Sequence, residues 1–228
     1  MKKHLKRLAI PKSWAIKRRG ITFVVRPNPG PHSFKLALPL RVILRDVLAI
    51  AKNAKEVRNS LYYNEVLVDG IRRKESKFPV GIMDVIKFGD NCFRIALKKG
   101  KLVLIMIDKK EADIKPCKII GKSKVKGKTQ LNLYDGKNII VDKDDYKVGG
   151  TVLISLPKNE IKEYMGLEQG CLIYLIGGKH SGDIGKVEDI ISNKIIYKRS
   201  SGEIIETLKK YVFVVGKDKP VVSLAGKE

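Results

Sequence analysis

Residues 40–74 read LRVILRDVLAIAKNAKEVRNSLYYNEVLVDGIRRK. Leu40, Ile43, Leu44, Val47, Leu48 and Ala51 recur at steps of three and four, which gathers them on one face of a helix. Arg41, Arg45 and Lys52 share another face by the same spacing. A second, shorter helix turns Val57 and Leu61 inward and Lys55 and Arg58 outward. Val66-Leu67-Val68 then reads as a strand, and Asp69-Gly70 as the turn of a hairpin, since both residue types tolerate positive φ. Beyond that turn lies Arg72-Arg73-Lys74, with Lys77 close behind. Val85 to Phe88 and Phe93 to Ile95 add short strands. Two helices followed by a small sheet with a basic hairpin make a compact module whose charged side is continuous.

Upstream, the chain is basic without interruption. The first forty-five residues hold twelve Lys or Arg and no acid before Asp46, so this segment supplies +12 of the net +23. Like charges repel, and little apolar surface accompanies them, so the segment needs a polyanion to neutralise it. Nucleic acid is the best candidate, because counterions released from phosphates drive such binding. Isolated anchors (Leu5, Leu8, Ile10, Trp14, then Ile21 to Val25) interrupt the charge, and Pro27-Asn28-Pro29-Gly30-Pro31 excludes both helix and sheet ladder. The expectation is an extended segment that orders against RNA or a neighbouring surface. Lys2, Lys3, Lys6, Arg7, Lys12, Lys17, Arg18, Arg19 and Arg26 are its candidate phosphate contacts, with His4 and His32 as phosphate contacts or exposed groups. Trp14 either stacks on an unpaired base or sits in a protein pocket.

Downstream, residues 98 to about 168 are rich in strands. Leu102 to Ile107 reads as a buried strand, and Ile119-Ile120, Gln130 to Leu133, Ile139 to Val141 and Val152 to Leu156 follow. Glycine turns separate them, Asp135-Gly136 marks a hairpin, and the spacing suggests a small barrel or sandwich. Lys122 to Lys128 falls in a loop-rich stretch that either touches phosphate or guards a solvated edge. A last module opens near Gly170: strand Leu172 to Ile176, then a loop with Gly177, Gly178, Gly182 and Gly185, then strands at Ile195 to Tyr197, Ile204-Ile205 and Tyr211 to Val215. The loop either lets backbone N–H groups reach another molecule or serves barrel geometry alone. Lys179 and His180, inside it, are further candidate RNA contacts.

Several function classes fall away. The glycine loop fails the phosphate-loop pattern, since His180 follows Lys179 where Ser or Thr is required. His180 with Asp183 lacks any marked nucleophile, and Asp144-Asp145 reads as a solvated turn, so no catalytic constellation is expected. Cys92, Cys117 and Cys171 are far apart and odd in number, which points to reduced thiols rather than a metal or disulfide framework. No apolar run approaches a membrane span and no signal peptide is expected.

At this point the residues carry a resemblance. Residues 40 to 95 resemble the RNA-binding domain named after bacterial small-subunit ribosomal protein four, through Arg58, Val66 to Gly70 and Asp84-Val85-Ile86. Asn64 and Met83 stand where that domain usually has glycine, and Asn64 also tolerates a left-handed backbone. Residues 170 to about 213 resemble a KOW-type barrel. Over nearly the whole chain the sequence resembles the small-subunit ribosomal protein family called four-e in archaea and eukaryotes. The matching stretches include His4-Leu5-Lys6-Arg7, Pro11-Lys12 with Trp14, Gly30-Pro31-His32, Pro79 to Val85 and Phe213 to Lys217.

The resemblance implies an α+β multi-module protein. A basic N-terminal extension (1–38) precedes a helical and hairpin RNA-binding domain (39–97). A central all-β domain (98–168), an SH3-like KOW-type barrel (169–215) and a C-terminal tail (216–228) follow. It implies a non-enzymatic constituent of the small ribosomal subunit in the cytoplasm, without cofactor, metal, membrane or homo-oligomer. The partners are small-subunit rRNA and neighbouring small-subunit ribosomal proteins. The alternative is an RNA-binding transcription or translation factor not permanently on the ribosome. A pseudouridine-synthase reading fails because the residues between modules are too few for a catalytic domain.

Overall fold

The structure, a computed structural model, describes residues 4–142 and 144–224. It is mostly β, with few helices and several separate sheets, and it divides into two compact units. The first comprises the described residues up to Ala96 together with Lys101–Asp113, and the second comprises Leu97–Gly100 and the described residues from Ile114 onward.

In the first unit the strands are β1 (Leu5–Lys6), β2 (Phe23–Val24), β3 (Ala37–Pro39), β4 (Val66–Val68), β5 (Ile71–Arg72), β6 (Pro79–Gly81), β7 (Val85–Phe88), β8 (Asn91–Lys98, whose last two residues count with the second unit) and β9 (Lys101–Ile107). They form a five-stranded sheet in the order β5-β4-β7-β8-β9 and two small pairs, β1-β2 and β3-β6. The β4–β5 turn is the expected Asp69-Gly70, both at positive φ. Such a turn matches the right-handed twist of its strands, and the Asp69 carboxylate reaches back to the Val85 amide at 3.1 Å. Strand β9 is less buried than its run of aliphatics suggests, for Met106 faces out.

The first helix is shorter than its periodicity implies. Helix α1 (Leu40–Val42) passes into a π-helical turn, Ile43–Val47, and Ala49 sits at positive φ. Ala51 is buried all the same, because its amide folds back on the Leu44 carbonyl. Helix α2 (Ala54–Tyr63) is capped as elementary rules require: Asn53 accepts from the amides of Lys55 and Glu56, and Glu56 reaches back to Lys52 N and Asn53 Nδ2. Val57 and Leu61 point inward. Asn64 is extended, not left-handed, whereas Met83 takes the left-handed backbone at φ 67°.

The N-terminal segment is folded against this unit rather than merely extended. Trp14 is only 3% exposed, bridges Leu102 and stacks at a tilt on Phe34 with centroids 5.8 Å apart. Leu5, Ile10 and Val24 are buried as well. Arg7 donates Nε to the Lys17 carbonyl, Arg18 donates to the Ile10 carbonyl, and Arg7 faces Asp46 at 3.5 Å. Of the isolated anchors, Leu5, Ile10, Trp14 and Val24 are therefore core residues spaced by loops, whereas Leu8, Ile21 and Phe23 are exposed.

The second unit contains β10 (Ile114–Val125), β11 (Lys128–Leu133), β12 (Asn138–Val141), β13 (Thr151–Ser155), β14 (Ile161–Met165), β15 (Leu172–Leu175), β16 (Ile184–Ile191), β17 (Lys194–Arg199), β18 (Ile204–Leu208) and β19 (Val212–Gly216). Two five-stranded sheets result, β12-β11-β10-β13-β14 and β18-β17-β16-β15-β19. They share a core: Leu153 and Met165 of one pack with Ile173, Leu175, Val187, Ile195, Tyr197, Val212 and Val214 of the other. The stretch from Lys122 to Lys128 is not a loop, since β10 and β11 run through it to a two-residue turn at Lys126-Gly127. Lys118 ties the two sheets together, its ammonium donating to the carbonyls of Lys209 (3.1 Å), Lys210 (3.0 Å) and Val212 (2.6 Å).

Candidate nucleic-acid interface

The sequence places Arg41 and Arg45 one helical turn apart, and tertiary contacts add cations from three other segments. A recess of about 280 Å³ in the first unit is lined by His4, Phe23, Arg26, Arg41, Arg45 and Lys77, with Leu5, Val24 and Val25 as its apolar wall. Arg58, from α2, is close enough to act on Arg41. Burial, then the positive charges of Arg58 and Arg45, hold the Arg41 guanidinium below its ordinary pKa, with Glu75 opposing. Like charges held this close cost free energy until an anion arrives.

The neutralisation within the unit is uneven. Asp46 takes Arg45 at 2.8 Å and also faces Arg7, while the Arg41 guanidinium donates to the Ser76 hydroxyl at 3.0 Å and its buried Nε finds no hydrogen-bond partner among the described residues. Arg26 lies 5.6 Å over the Phe34 ring. Arg58 and Lys77 are exposed at the rim.

The basic hairpin splits by its tertiary neighbours. Arg73 is half-buried and sits 4.4 Å over the Phe78 ring, a packing role. Arg72 and Lys74 face the other way and are exposed; Arg72 donates to the Tyr62 carbonyl at 2.9 Å.

The remaining candidates fall out as follows. Lys6, Lys12, Lys17, Arg18, Arg19, Lys55 and Lys179 are exposed. Lys2 and Lys3 lie outside the described residues. Three candidates are buried within the chain. Trp14 offers no face for a base, because burying its ring anchors the N-terminal segment. Arg7 is buried, with Nε donating to the Lys17 carbonyl and one terminal nitrogen facing Asp46. His32 is buried against Gly81, where an added Cβ would collide with the ring, and its Nε2 pairs with Asp84 at 2.9 Å. His180 is half-buried in the second unit, 3.6 Å from Asp183, which Arg199 also holds at 2.7 Å.

The glycine loop around it resolves toward internal geometry. A side chain at Gly177 would strike Tyr211, one at Gly185 the Tyr197 ring, and one at Gly182 the Leu97 carbonyl at 2.7 Å. Sequence reasoning did not place Phe23 at the recess, since a hydrophobic residue in a basic segment reads equally as a core anchor. Nor did it single out Tyr62 and Tyr63, which the α2 period places off the buried Val57–Leu61 face.

These features define a strongly cationic, mostly β protein that gathers Arg26, Arg41 and Arg45 at one recess of its first unit. Comparison with known proteins gives the same class a family. A family model described as Ribosomal family S4e matches residues 90–161, and one described as the RS4NT (NUC023) domain matches residues 1–35. The chain is 43% identical over 235 residues to small ribosomal subunit protein eS4 of Methanothermobacter thermautotrophicus, covering 99% of this chain and 97% of the relative. The same-named protein of Methanococcus maripaludis is 42% identical over 241 residues, covering 98% of each. The crystal structure of 30S ribosomal protein S4e from Thermoplasma acidophilum superposes with a TM-score of 0.68 at 29% identity, covering 83% of this chain and 98% of that one. The chain belongs to the S4e family of ribosomal proteins.

Proposed function

We infer that the chain is a structural, non-enzymatic constituent of the small ribosomal subunit that binds and stabilises its rRNA and so supports translation. The observation that carries the rRNA-binding surface is the recess that gathers Arg26, Arg41, Arg45 and Lys77, where Asp46 is shared between Arg45 and Arg7. Phosphates bridging such a cluster convert repulsion into attraction and release counterions. Recognition is by shape and backbone, because folded RNA hides base edges in a deep groove. Arg26, Arg41, Arg45 and Lys77 serve the recess, Arg58, Arg72 and Lys74 its surround, and the exposed N-terminal lysines and arginines run along neighbouring RNA.

Under this reading the helices and hairpin of residues 39–97 act as the RNA-binding domain, and the β15–β19 sheet as the KOW-type barrel, with Lys179 and His180 at its glycine loop. The second unit offers exposed edge residues, Ile140 and Ile204 among them, for neighbouring small-subunit ribosomal proteins. The site of action is the cytoplasmic ribosome.

Sedimentation of the native protein on a density gradient, before and after a high-salt wash, tests the proposal. Near-stoichiometric migration with small subunits that survives the wash is expected. Release into the free pool at moderate salt would make the protein a transient factor instead.

A further inference from the structure

Two tyrosines at the end of α2 stand where a buried residue is not needed. Tyr62 is 63% and Tyr63 77% exposed, and their rings meet edge to face with centroids 5.2 Å apart. Large aromatic rings left this bare on a soluble surface mark a contact that is made elsewhere. Their surroundings specify its chemistry. The Lys74 ammonium lies 5.4 Å over the Tyr62 ring, and the Arg72 guanidinium is anchored on the Tyr62 carbonyl.

We propose that Tyr63 is a stacking seat for one unpaired rRNA base, with Tyr62 bracing it and Arg72 and Lys74 holding the phosphates on either side. The proposal rests on the rRNA-binding reading and adds a base-contacting site to a surface otherwise built for phosphates. Unpaired bases in folded RNA are taken up in this manner: an aromatic face supplies stacking, and cations beside it track the backbone. Tyr63 is the seat because the Tyr62 ring already carries Lys74. Tyr62 instead fixes the angle of Tyr63 by its perpendicular contact, interplanar angle 85°. A protein partner is the poorer fit, since the core of a protein interface is depleted of charge whereas Arg72 and Lys74 stand beside this pair.

The test uses the full chain and a transcript of its cognate small-subunit rRNA, with affinity measured against salt concentration for Tyr63→Ala, Tyr63→Leu, Tyr63→Trp and Tyr62→Ala. Loss of one stacked base weakens binding by about 5-fold to 150-fold, and the exposed setting favours the lower part of that range. Tyr63→Ala and Tyr63→Leu should both weaken binding on that scale, Tyr63→Trp should keep it, and Tyr62→Ala should cost less than Tyr63→Ala. The salt slope should stay at the wild-type value in all four, because stacking releases no counterions. Wild-type affinity in Tyr63→Ala overturns the base seat and leaves a protein contact as the occupant. Wild-type affinity in Tyr63→Leu overturns it too, since apolar area would then suffice. A flattened slope shows that the ring merely positions a phosphate contact, which also refutes the proposal. Failure of the wild-type chain to bind the transcript at all would sink the rRNA-binding reading itself, an outcome distinct from the other three.

Discussion

Replacing Arg58 and Lys77 by glutamine removes two exposed cations that flank Arg41 from opposite elements. Both lie at the surface, so their loss leaves the buried apolar residues of the first unit untouched. Each phosphate contact contributes about 0.7 to 0.9 to the slope of log K against log salt concentration. Two contacts make a slope change of about 1.6. If the non-electrostatic part of binding is unchanged, affinity falls about 40-fold at 0.1 M salt and about 3-fold at 0.5 M. Each single variant should lose about 6-fold at 0.1 M salt, additively in the logarithm. Filter binding of the rRNA transcript across a salt series reads this directly, with thermal unfolding of each variant as the control. Parallel lines for wild type and double variant would refute the reasoning, whether the affinities coincide or differ. Coincident lines mean that neither residue meets a phosphate. Displaced parallel lines mean that the residues act through shape.

Other parts of the structure give independent tests. Trp14→Ala should cost about 3–5 kcal/mol in denaturant unfolding, the usual loss for emptying a buried aromatic site, whereas a merely solvated tail would show no change. Gly182→Ala forces a Cβ to 2.7 Å from the Leu97 carbonyl at φ +96°, and overpacking with strain should lower stability by about 2–4 kcal/mol in a thermal melt, with the salt slope of RNA binding unaltered. Burial, aided by Lys209, pushes the Lys118 ammonium down to about 8, below its unfolded value of 10.5. The unfolded chain then binds more protons between those two values, so stability should rise with pH across the interval by up to about 3 kcal/mol. The rise should be absent from Lys118→Met, which unfolding at a series of pH values would show.

Strain at one position ties the family resemblance to the structure. Where the resemblance leads one to expect glycine, Met83 holds the left-handed backbone that glycine would adopt freely. Its side chain is buried, so packing offsets the backbone cost. Asn64, the other glycine replacement, takes an extended conformation at the C-cap of α2 and carries no such strain.

Local chemistry was legible in the sequence. The Asp69-Gly70 turn, the Val57 and Leu61 face of α2, most strands of the second unit and the cationic excess follow from nearest-neighbour rules: period, turn stereochemistry and charge count. Those rules are short-ranged and need no knowledge of where the chain returns. What the tertiary structure alone decided was the fate of residues whose type suits two environments. Trp14 and His32 are as compatible with RNA as with a core, and only the return of Leu102 and Gly81 to their sides buries them. Arg72 and Arg73 are adjacent and chemically alike, yet one is exposed and the other packs on Phe78, because the fold brings the Tyr62 carbonyl to Arg72 and the Phe78 ring to Arg73. The recess itself gathers His4, Phe23, Arg41 and Lys77 from four separate segments, and no local pattern encodes a meeting that only the closed fold brings about.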